Sequence, residues 1–231
     1  LRYSKEDRPL GTGGPLRLAR EALCDGCFLM LNGDVFSNID YRGLLGAHSS
    51  RRPLGALATI TLFEVEDPSR FGVVELAEPM RIVRFVEKPR REEAPSRLIN
   101  AGAYALEPEV IDYVKEGKCS IEREVFPRLA AEGRLYGFEH RGLWVDIGKP
   151  EDFMRANFAA LDMLAPKEPA VARSARVSKG AEIIPPAIIG EGAEVAENAK
   201  VGPYAAVGAN AYIGRGAKVE RSVVFDSARI G

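Results

Sequence analysis

Between Val171 and Val219 a β-branched aliphatic residue returns at every sixth position: Val171, Val177, Ile183, Ile189, Val195, Val201, Val207, Ile213 and Val219. Four residues after each of the first eight comes an alanine, at 175, 181, 187, 193, 199, 205, 211 and 217. The residue before that alanine is often Gly180, Gly192, Asn198, Asn210 or Gly216, types that tolerate a positive φ. Each hexad therefore predicts one short strand and one tight turn, and three hexads make one coil with the aliphatic side chains stacked inward. Alternation in an ordinary sheet has period two and would not hold alanine at a fixed offset. The ladder is expected to slip at its end, where Phe225 takes the sixth-residue slot while Val224 and Ile230 indicate a shifted register.

Upstream, apolar runs alternate with helix-like segments, the pattern of a parallel or mixed α/β sheet. Pro15 opens a helical segment through Leu16, Leu18, Ala19 and Leu23. Strands are expected at Phe28 to Leu31, Leu57 to Phe63, Gly72 to Leu76, Arg81 to Val86, Ile99 to Leu106 and Leu143 to Val145. Asp40 is placed to cap a helix carrying Leu44, Leu45 and Ala47, and Ser120 to cap Ile121 to Ala131, with Pro127 marking a kink or break there. Pro108 starts a helix with Val110, Ile111 and Val114, and Pro150 one running through Phe153, Ala156, Phe158 and Leu161. Ala165 to Pro169 has linker composition, so two domains are expected, 1–168 and 169–231.

Composition narrows the partners. With 32 basic and 33 acidic residues the net charge is −1, which leaves no electrostatic footprint for nucleic acid or an anionic membrane and favours small molecules. Apolar runs fall short of a bilayer span and residues 1–10 are charged where a secretory leader would be apolar, so a cytoplasmic protein is expected. Three cysteines cannot all pair, in keeping with a reducing compartment. Cys24 and Cys27 have C-x-x-C spacing, but with no second pair and no histidine close in sequence the bland reading, two thiols at a helix-to-strand junction, is preferred to a metal or redox role.

In α/β sheets ligands gather beyond the carboxyl ends of strands, which singles out Asp34 and Asp146. Two carboxylates there suit Mg²⁺, a hard cation that meets protein through one or two carboxylates and substrate phosphates; capping of the adjacent turns is the alternative. Five motifs then occur in order: Pro9-Leu10-Gly11-Thr12-Gly13-Gly14, Leu31-Asn32-Gly33-Asp34, Phe85-Val86-Glu87-Lys88-Pro89, Ile99-Asn100-Ala101-Gly102 and Trp144-Val145-Asp146-Ile147-Gly148. Their order and spacing resemble the sugar nucleotidyltransferases, and the hexads resemble the hexapeptide-repeat left-handed β-helix often attached to them. The resemblance implies a Rossmann-like nucleotidyltransferase domain with a mixed sheet, truncated at its N-terminus, followed by a left-handed parallel β-helix.

It also implies an activity: transfer of a nucleotidyl group from a nucleoside triphosphate to a sugar 1-phosphate, with release of pyrophosphate. Asp34 and Asp146 inherit the Mg²⁺ role, and Asp34, Asp146 and Lys88 the catalytic one. Glu87 and Lys88 match the sugar clamp, and Gly72, Asn100 and Gly102 the rest of the sugar pocket. Gly11 and Thr12 match the nucleotide loop. Glu6, a carboxylate that can only accept, would complement the adjacent N–H donors of guanine; a solvated glutamate is the alternative. Pro9 to Gly14, Ser120 to Pro127 and Asp146 to Pro150 are most similar to the mannose-1-phosphate guanylyltransferases, with GTP and mannose 1-phosphate as expected substrates. Uridylyl or thymidylyl transfer to glucose 1-phosphate and a catalytically silent regulatory subunit are the rivals. The family's leading G-x-G-T-R signature is not in this sequence, so the chain reads as a piece that alone would not turn over. A homo-oligomer, joined through the β-helix, is expected. Acyl transfer in the solenoid is disfavoured, because residues 171–231 hold no histidine.

Overall fold

The apolar runs before residue 144 pair into one six-stranded mixed sheet. The computed structural model describes residues 2–231; Leu1, the first residue of the expected first domain, lies outside the described residues. In chain order the strands are β1 (Phe28–Leu31), β2 (Val35–Ser37), β3 (Ala58–Glu64), β4 (Gly72–Ala77), β5 (Arg81–Glu87), β6 (Leu98–Leu106), β7 (Leu135–Glu139) and β8 (Trp144–Asp146). The sheet runs β1-β6-β3-β7-β5-β4, with β3 and β7 parallel and β1–β6, β3–β6 and β4–β5 antiparallel. Ala58 to Leu62 are buried throughout, as a strand covered on both faces requires. Leu16, Ile60, Tyr104, Phe126 and Leu129 are among the side chains of the main core.

The helices follow their local signals with instructive departures. Helix α3 (Tyr41–Arg51) starts at Asp40, whose side chain accepts from the Gly43 N–H at 2.9 Å. The single helix expected from Pro15 to Leu23 is instead two short pieces, α1 (Gly14–Leu18) and α2 (Arg20–Leu23), parted at Ala19, whose φ −88° and ψ 7° lie outside the α region. Ser120 caps as expected, accepting from the Arg123 N–H, but Ile121–Val125 forms a wider π-type turn before α4 (Phe126–Ala131). Pro127 then lies in the first turn of α4, where its missing N–H costs nothing. Pro108–Tyr113 is a 3₁₀ rather than an α segment, and Val114 falls after it.

Two strands escaped the sequence pattern. In β7 the apolar run is interrupted by Gly137, but a Cβ there would collide with the Leu62 side chain of β3, so the glycine permits close strand packing. The three-residue β2 follows a turn at Gly33 and Asp34 and is too short to show a period. Asp146 is the last residue of β8 rather than the first beyond it.

A second compact unit runs from Val145 to Gly231. Its strands, β9 (Ala170–Val171) through β19 (Arg229–Ile230), stack in parallel as three faces of a β-solenoid. The partners lie eighteen residues apart: Val171, Ile189 and Val207; Val177, Val195 and Ile213; Ile183, Val201 and Val219. Positive φ occurs at Gly180, Gly192, Asn198, Asn210 and Gly216, and the hexad alanines Ala187, Ala193, Ala199, Ala205 and Ala211 are buried. The slip is real: Val207 pairs with Val224 and Ile213 with Ile230, so the last coil is one residue short. Val224 takes the inward slot and Phe225 is left 66% exposed.

One solenoid face points Ala206 and Val223 outward, and apolar surface of that kind needs a cover. Helix α5 (Pro150–Leu164) supplies it within the same unit: Phe158 meets Tyr204 edge-on at 5.3 Å, and the Tyr204 hydroxyl donates to Asp162 at 3.0 Å. Arg221 lies over both rings. Charged pairs occupy the other two faces, Arg176 with Glu194 and Lys200 with Glu182. Among the described residues no helix is long and apolar enough to cross a membrane.

Candidate active site

A hydrogen-bonded seam joins the loop at residues 10–14 to residues 119–122. Cys119 donates its N–H to the Leu10 carbonyl, and the Gly13 N–H donates to the Cys119 carbonyl, each at 2.9 Å. The Ile121 N–H donates to Thr12 Oγ1 at 3.0 Å, while the Thr12 hydroxyl donates to Glu122 Oε2 at 2.5 Å. Gly11 has φ +77°, and a Cβ on it would lie 2.5 Å from the Cys119 carbonyl oxygen. Its missing side chain is thus required by the seam itself. Glu6 is not a free surface carboxylate: its Oε2 accepts from the Leu10 N–H at 3.0 Å, closing the turn that leads into the loop.

The expected sugar-pocket residues gather on neighbouring strands. Gly72 and Glu87 are direct partners in the β4–β5 ladder, and Val73 of β4 pairs with Ile99 of β6, one residue before Asn100. Asn100 and Gly102 sit where the β3–β6 register breaks: Ile60 faces Tyr104 but Leu62 faces Asn100, so β6 carries two extra residues there. Gly102 meets this bulge with φ +77°, its N–H donates to Asn100 Oδ1 at 3.1 Å, and its carbonyl accepts from the Asn32 N–H at 2.8 Å. Asn100 Nδ2 also donates to the hydroxyl of Tyr104, a fully buried residue.

Glu87 is mostly buried and Lys88 mostly exposed, with 4.0 Å between their charged atoms. Lys88 has φ +50°, unusual for a side-chain-bearing residue, and its N–H is tied to the Phe71 carbonyl at 2.9 Å. Strain of that kind collects at ligand clamps. Burial raises the Glu87 carboxyl above its ordinary value, and the charge of Glu122 adds to the rise, while Lys88 and Arg123 oppose it. Tyr104 is raised as well, chiefly by burial, with Glu122 and Glu87 contributing. Glu122, Arg123, Tyr104 and Asn32 are therefore neighbours of the site to which the motifs assigned no role. Asn32 lies inside the Leu31 to Asp34 motif, and Glu122 and Arg123 lie inside the Ser120 to Pro127 motif.

Asp34 is exposed in the turn after β1. Two residues before Asp146, Trp144 donates its indole N–H to the Ala101 carbonyl at 2.9 Å and packs on Phe63 and Phe71, which fixes the start of β8 beside the β6 bulge. Asp146 itself belongs to the second unit. Both aspartates offer hard oxygen donors, the set a divalent cation prefers. A different cluster brings ligating atoms of Cys27, His48 and Glu107 within 4.8 Å of one another. Its bonds are already made: His48 uses Nδ1 on Thr59 and Nε2 on Glu107, each at 2.9 Å, and the Arg52 guanidinium also holds Glu107. This is a satisfied buried network that pins α3 to β3.

Comparison with known proteins places the chain in a family. The nucleotidyl transferase family model matches residues 1–163. A mannose-1-phosphate guanyltransferase of Saccharomyces cerevisiae is 39% identical over 193 residues, covering 82% of this chain and 51% of that protein. A probable mannose-1-phosphate guanylyltransferase 1 of rice is 42% identical, over 81% of this chain and 52% of that protein. The chain thus spans about half the length of the curated relatives it matches. Among solved structures, a Bacillus anthracis protein described as a glucose-1-phosphate thymidylyltransferase superposes with a TM-score of 0.61 at 26% identity, covering 69% of this chain and 64% of that one. HddC of Yersinia pseudotuberculosis, complexed with GMP-PN, does so with a TM-score of 0.53 at 29% identity, covering 65% of this chain and 63% of that one. With the seam, the Glu87–Lys88 pair and the β6 bulge assembled in one unit and the family model matching most of the sequence, this chain belongs to the nucleotidyl transferase family.

Proposed function

We propose that the protein of which this chain is part transfers a guanylyl group from GTP to mannose 1-phosphate. The observation that carries the reading is the assembly of Gly72, Glu87, Lys88, Asn100 and Gly102 around the β4–β5 ladder and the β6 bulge, in a chain whose relatives at 39–42% identity are named for that activity. An oxygen of the sugar phosphate attacks the α-phosphorus of the triphosphate; the new P–O bond forms as the bond to pyrophosphate breaks, and pyrophosphate leaves with the electron pair. The attacking oxygen is already anionic, so no general base is needed. Catalysis rests on alignment and charge neutralisation.

Each residue then has a task. Glu87, its position left open by Gly72, accepts hydrogen bonds from the sugar hydroxyls, and Lys88 places its ammonium against the sugar phosphate. Asn100 and Gly102 line the same pocket with an amide and a bulged backbone. Gly11 and Thr12 form the nucleotide side, and Glu6, while closing the loop through Leu10, has a second oxygen with which to meet guanine donors. Asp34 and Asp146 are the carboxylates assigned to a divalent cation, Mg²⁺ in this proposal, whose charge offsets that of the phosphates when bound. The catalytic domain is proposed as 1–168 and the solenoid domain as 169–231. A homo-oligomer joined through exposed solenoid faces, in the cytoplasm, completes the proposal, and the balanced charge supports small-molecule partners rather than nucleic acid.

The test is pyrophosphate release by the full-length protein with Mg²⁺ across a panel of nucleoside triphosphates and sugar 1-phosphates. GTP with mannose 1-phosphate is expected to give the highest kcat/KM. A preference for UTP or dTTP with glucose 1-phosphate would reassign the substrates, and binding without turnover would make the protein a silent regulatory subunit.

A further inference from the structure

The seam and the clamp meet at one side chain. Glu122 Oε2 accepts from the Thr12 hydroxyl at 2.5 Å and from the Ser120 hydroxyl at 2.7 Å. Thr12 belongs to the loop on the proposed nucleotide side, and Ser120 caps the turn at Ile121–Val125. Thr12 Oγ1 in turn accepts from the Ile121 N–H, so the hydroxyl is bonded on both sides and fixed in direction. The 121–125 turn that carries this carboxylate packs against β5, the strand that ends at Glu87, and its charge acts to raise the Glu87 carboxyl while Lys88 and Arg123 oppose it. The surroundings of Glu87 are Lys88 on its own strand side, Glu122 and Arg123 from the 121–125 turn, and Tyr104 from β6. Glu122 is only partly buried, and neither of the hydroxyl bonds uses its Oε1.

We infer that Glu122 is a positioning residue for the transfer reaction, one carboxylate that latches the Gly11–Thr12 loop shut through Thr12 and sets the charge against which the Glu87–Lys88 clamp works. The inference rests on the proposed nucleotidyl transfer and deepens it, because it ties nucleotide-side closure to sugar-side recognition. A glutamate at this point costs like-charge repulsion with Glu87. That cost has a use if the repulsion is relieved when sugar hydroxyls donate to Glu87, making sugar binding stronger in the closed arrangement than in an open one. A purely structural capping role would need only a neutral acceptor.

Two substitutions in the full-length protein separate the tasks. Glu122→Gln keeps an oxygen for the Thr12 and Ser120 hydroxyls but removes the charge. It is expected to leave the nucleotide KM within about threefold and to move the acid limb of kcat/KM for the sugar 1-phosphate to lower pH, since Glu87 then ionises more easily. Thr12→Val removes the hydroxyl that donates to Glu122 and accepts from the Ile121 N–H but leaves the charge. It is expected to raise the nucleotide KM about tenfold, the scale of one lost charge-assisted hydrogen bond, with the acid limb unmoved. An acid limb in Glu122→Gln that coincides with wild type, or an unchanged nucleotide KM in Thr12→Val, overturns the inference. If the wild-type protein turns over no substrate pair, the transferase reading fails, and the inference is decided by the Glu87 titration followed by carboxyl ¹³C NMR. A Glu87 midpoint that falls in Glu122→Gln upholds the charge role, and one that stays in place removes it.

Discussion

Gly72 stands directly opposite Glu87 across the β4–β5 ladder, and a Cβ added to it would lie 2.9 Å from Glu87 Oε2 and collide with the Phe85 ring. The Glu87 carboxylate therefore owes its position to an absent side chain. Gly72→Ala is expected to displace that carboxylate, raising KM for the sugar 1-phosphate at least about tenfold and costing about 1–3 kcal/mol of stability through overpacking. Nucleotide affinity, measured by calorimetry on the same protein, should be nearly unchanged; a loss there equal to the sugar effect would count against a specific sugar clamp.

Removing either aspartate assigned to the cation gives the second expectation. Asp34→Ala and Asp146→Ala should each lower kcat/KM by several kcal/mol of transition-state stabilisation. Asp34 is exposed, so its variant should retain the wild-type circular dichroism spectrum. Activity within about tenfold of wild type in both variants, about 1.4 kcal/mol, would withdraw the assignment.

The raised Glu87 carboxyl sets a trade between stability and binding. Below its ordinary value of 4.5 the group is neutral in folded and unfolded chains alike. As pH rises through the higher folded value, ionisation in a partly desolvated position draws stability away. Glu87→Gln should therefore raise Tm at pH 7.5, leave it nearly unchanged at pH 4, and weaken sugar 1-phosphate binding. Thermal scans at the two pH values test the sign.

His48 behaves in the opposite sense. Burial lowers it from its ordinary 6.5, against the opposing pull of Glu107, so above that pH both states are neutral and the stability is fully present. As pH falls below 6.5 the unfolded chain takes up the proton first and stability declines. His48→Gln should lose about 1–3 kcal/mol at pH 7.5 from the broken Thr59–Glu107 network and flatten the decline between pH 6.5 and 5.5. Urea midpoints of both proteins across that range would reveal a parallel slope if another group were responsible.

The carboxylate proposed to read the base can be tested without opening its loop. Glu6→Gln keeps an oxygen for the Leu10 N–H, so the turn should survive. The preference for GTP over UTP in kcat/KM should fall by about 1–3 kcal/mol, the scale of a charge-assisted hydrogen bond. A constant ratio would leave Glu6 as a loop-closing residue alone.

What could be read from the chain depended on whether its signal was local. Hexads repeat nine times, so the Val and Ile ladder of the solenoid and the αL turns at Gly180, Gly192, Asn198, Asn210 and Gly216 were legible, and the displaced Phe225 showed as a break in phase; the positive φ of Tyr204, Arg221 and Ser227 was not, because those residue types do not announce it. Gly72, Glu87, Lys88, Asn100 and Gly102 were legible as pieces of motifs. The roles of their neighbours Glu122, Tyr104 and Asn32 were not legible, although Glu122 and Asn32 also lie inside motifs, because those roles arise only when β6 bulges and the 119–122 segment closes on the 10–14 loop. β7 was hidden for a similar reason: Gly137 weakens the apolar pattern, and only Leu62 on the adjacent strand explains it. The Cys27–His48–Glu107 cluster gathers residues from positions far apart in sequence, so neither the absence of a histidine beside the C-x-x-C spacing nor the spacing itself foretold it.

The eighteen-residue step of the solenoid also sets a rule for how its length can change. Helix α5 lands on the face bearing Ala206 and Val223, with Phe158 against Tyr204. Deleting one hexad upstream of Tyr204 would turn every later residue onto another face of the triangle and present α5 with the row of Tyr212 and Arg229, and inserting one would present that of Lys200 and Lys218. Insertions and deletions there should be tolerated only in whole turns of three hexads, a quantum of length imposed by one helix resting on one side of a three-sided rod.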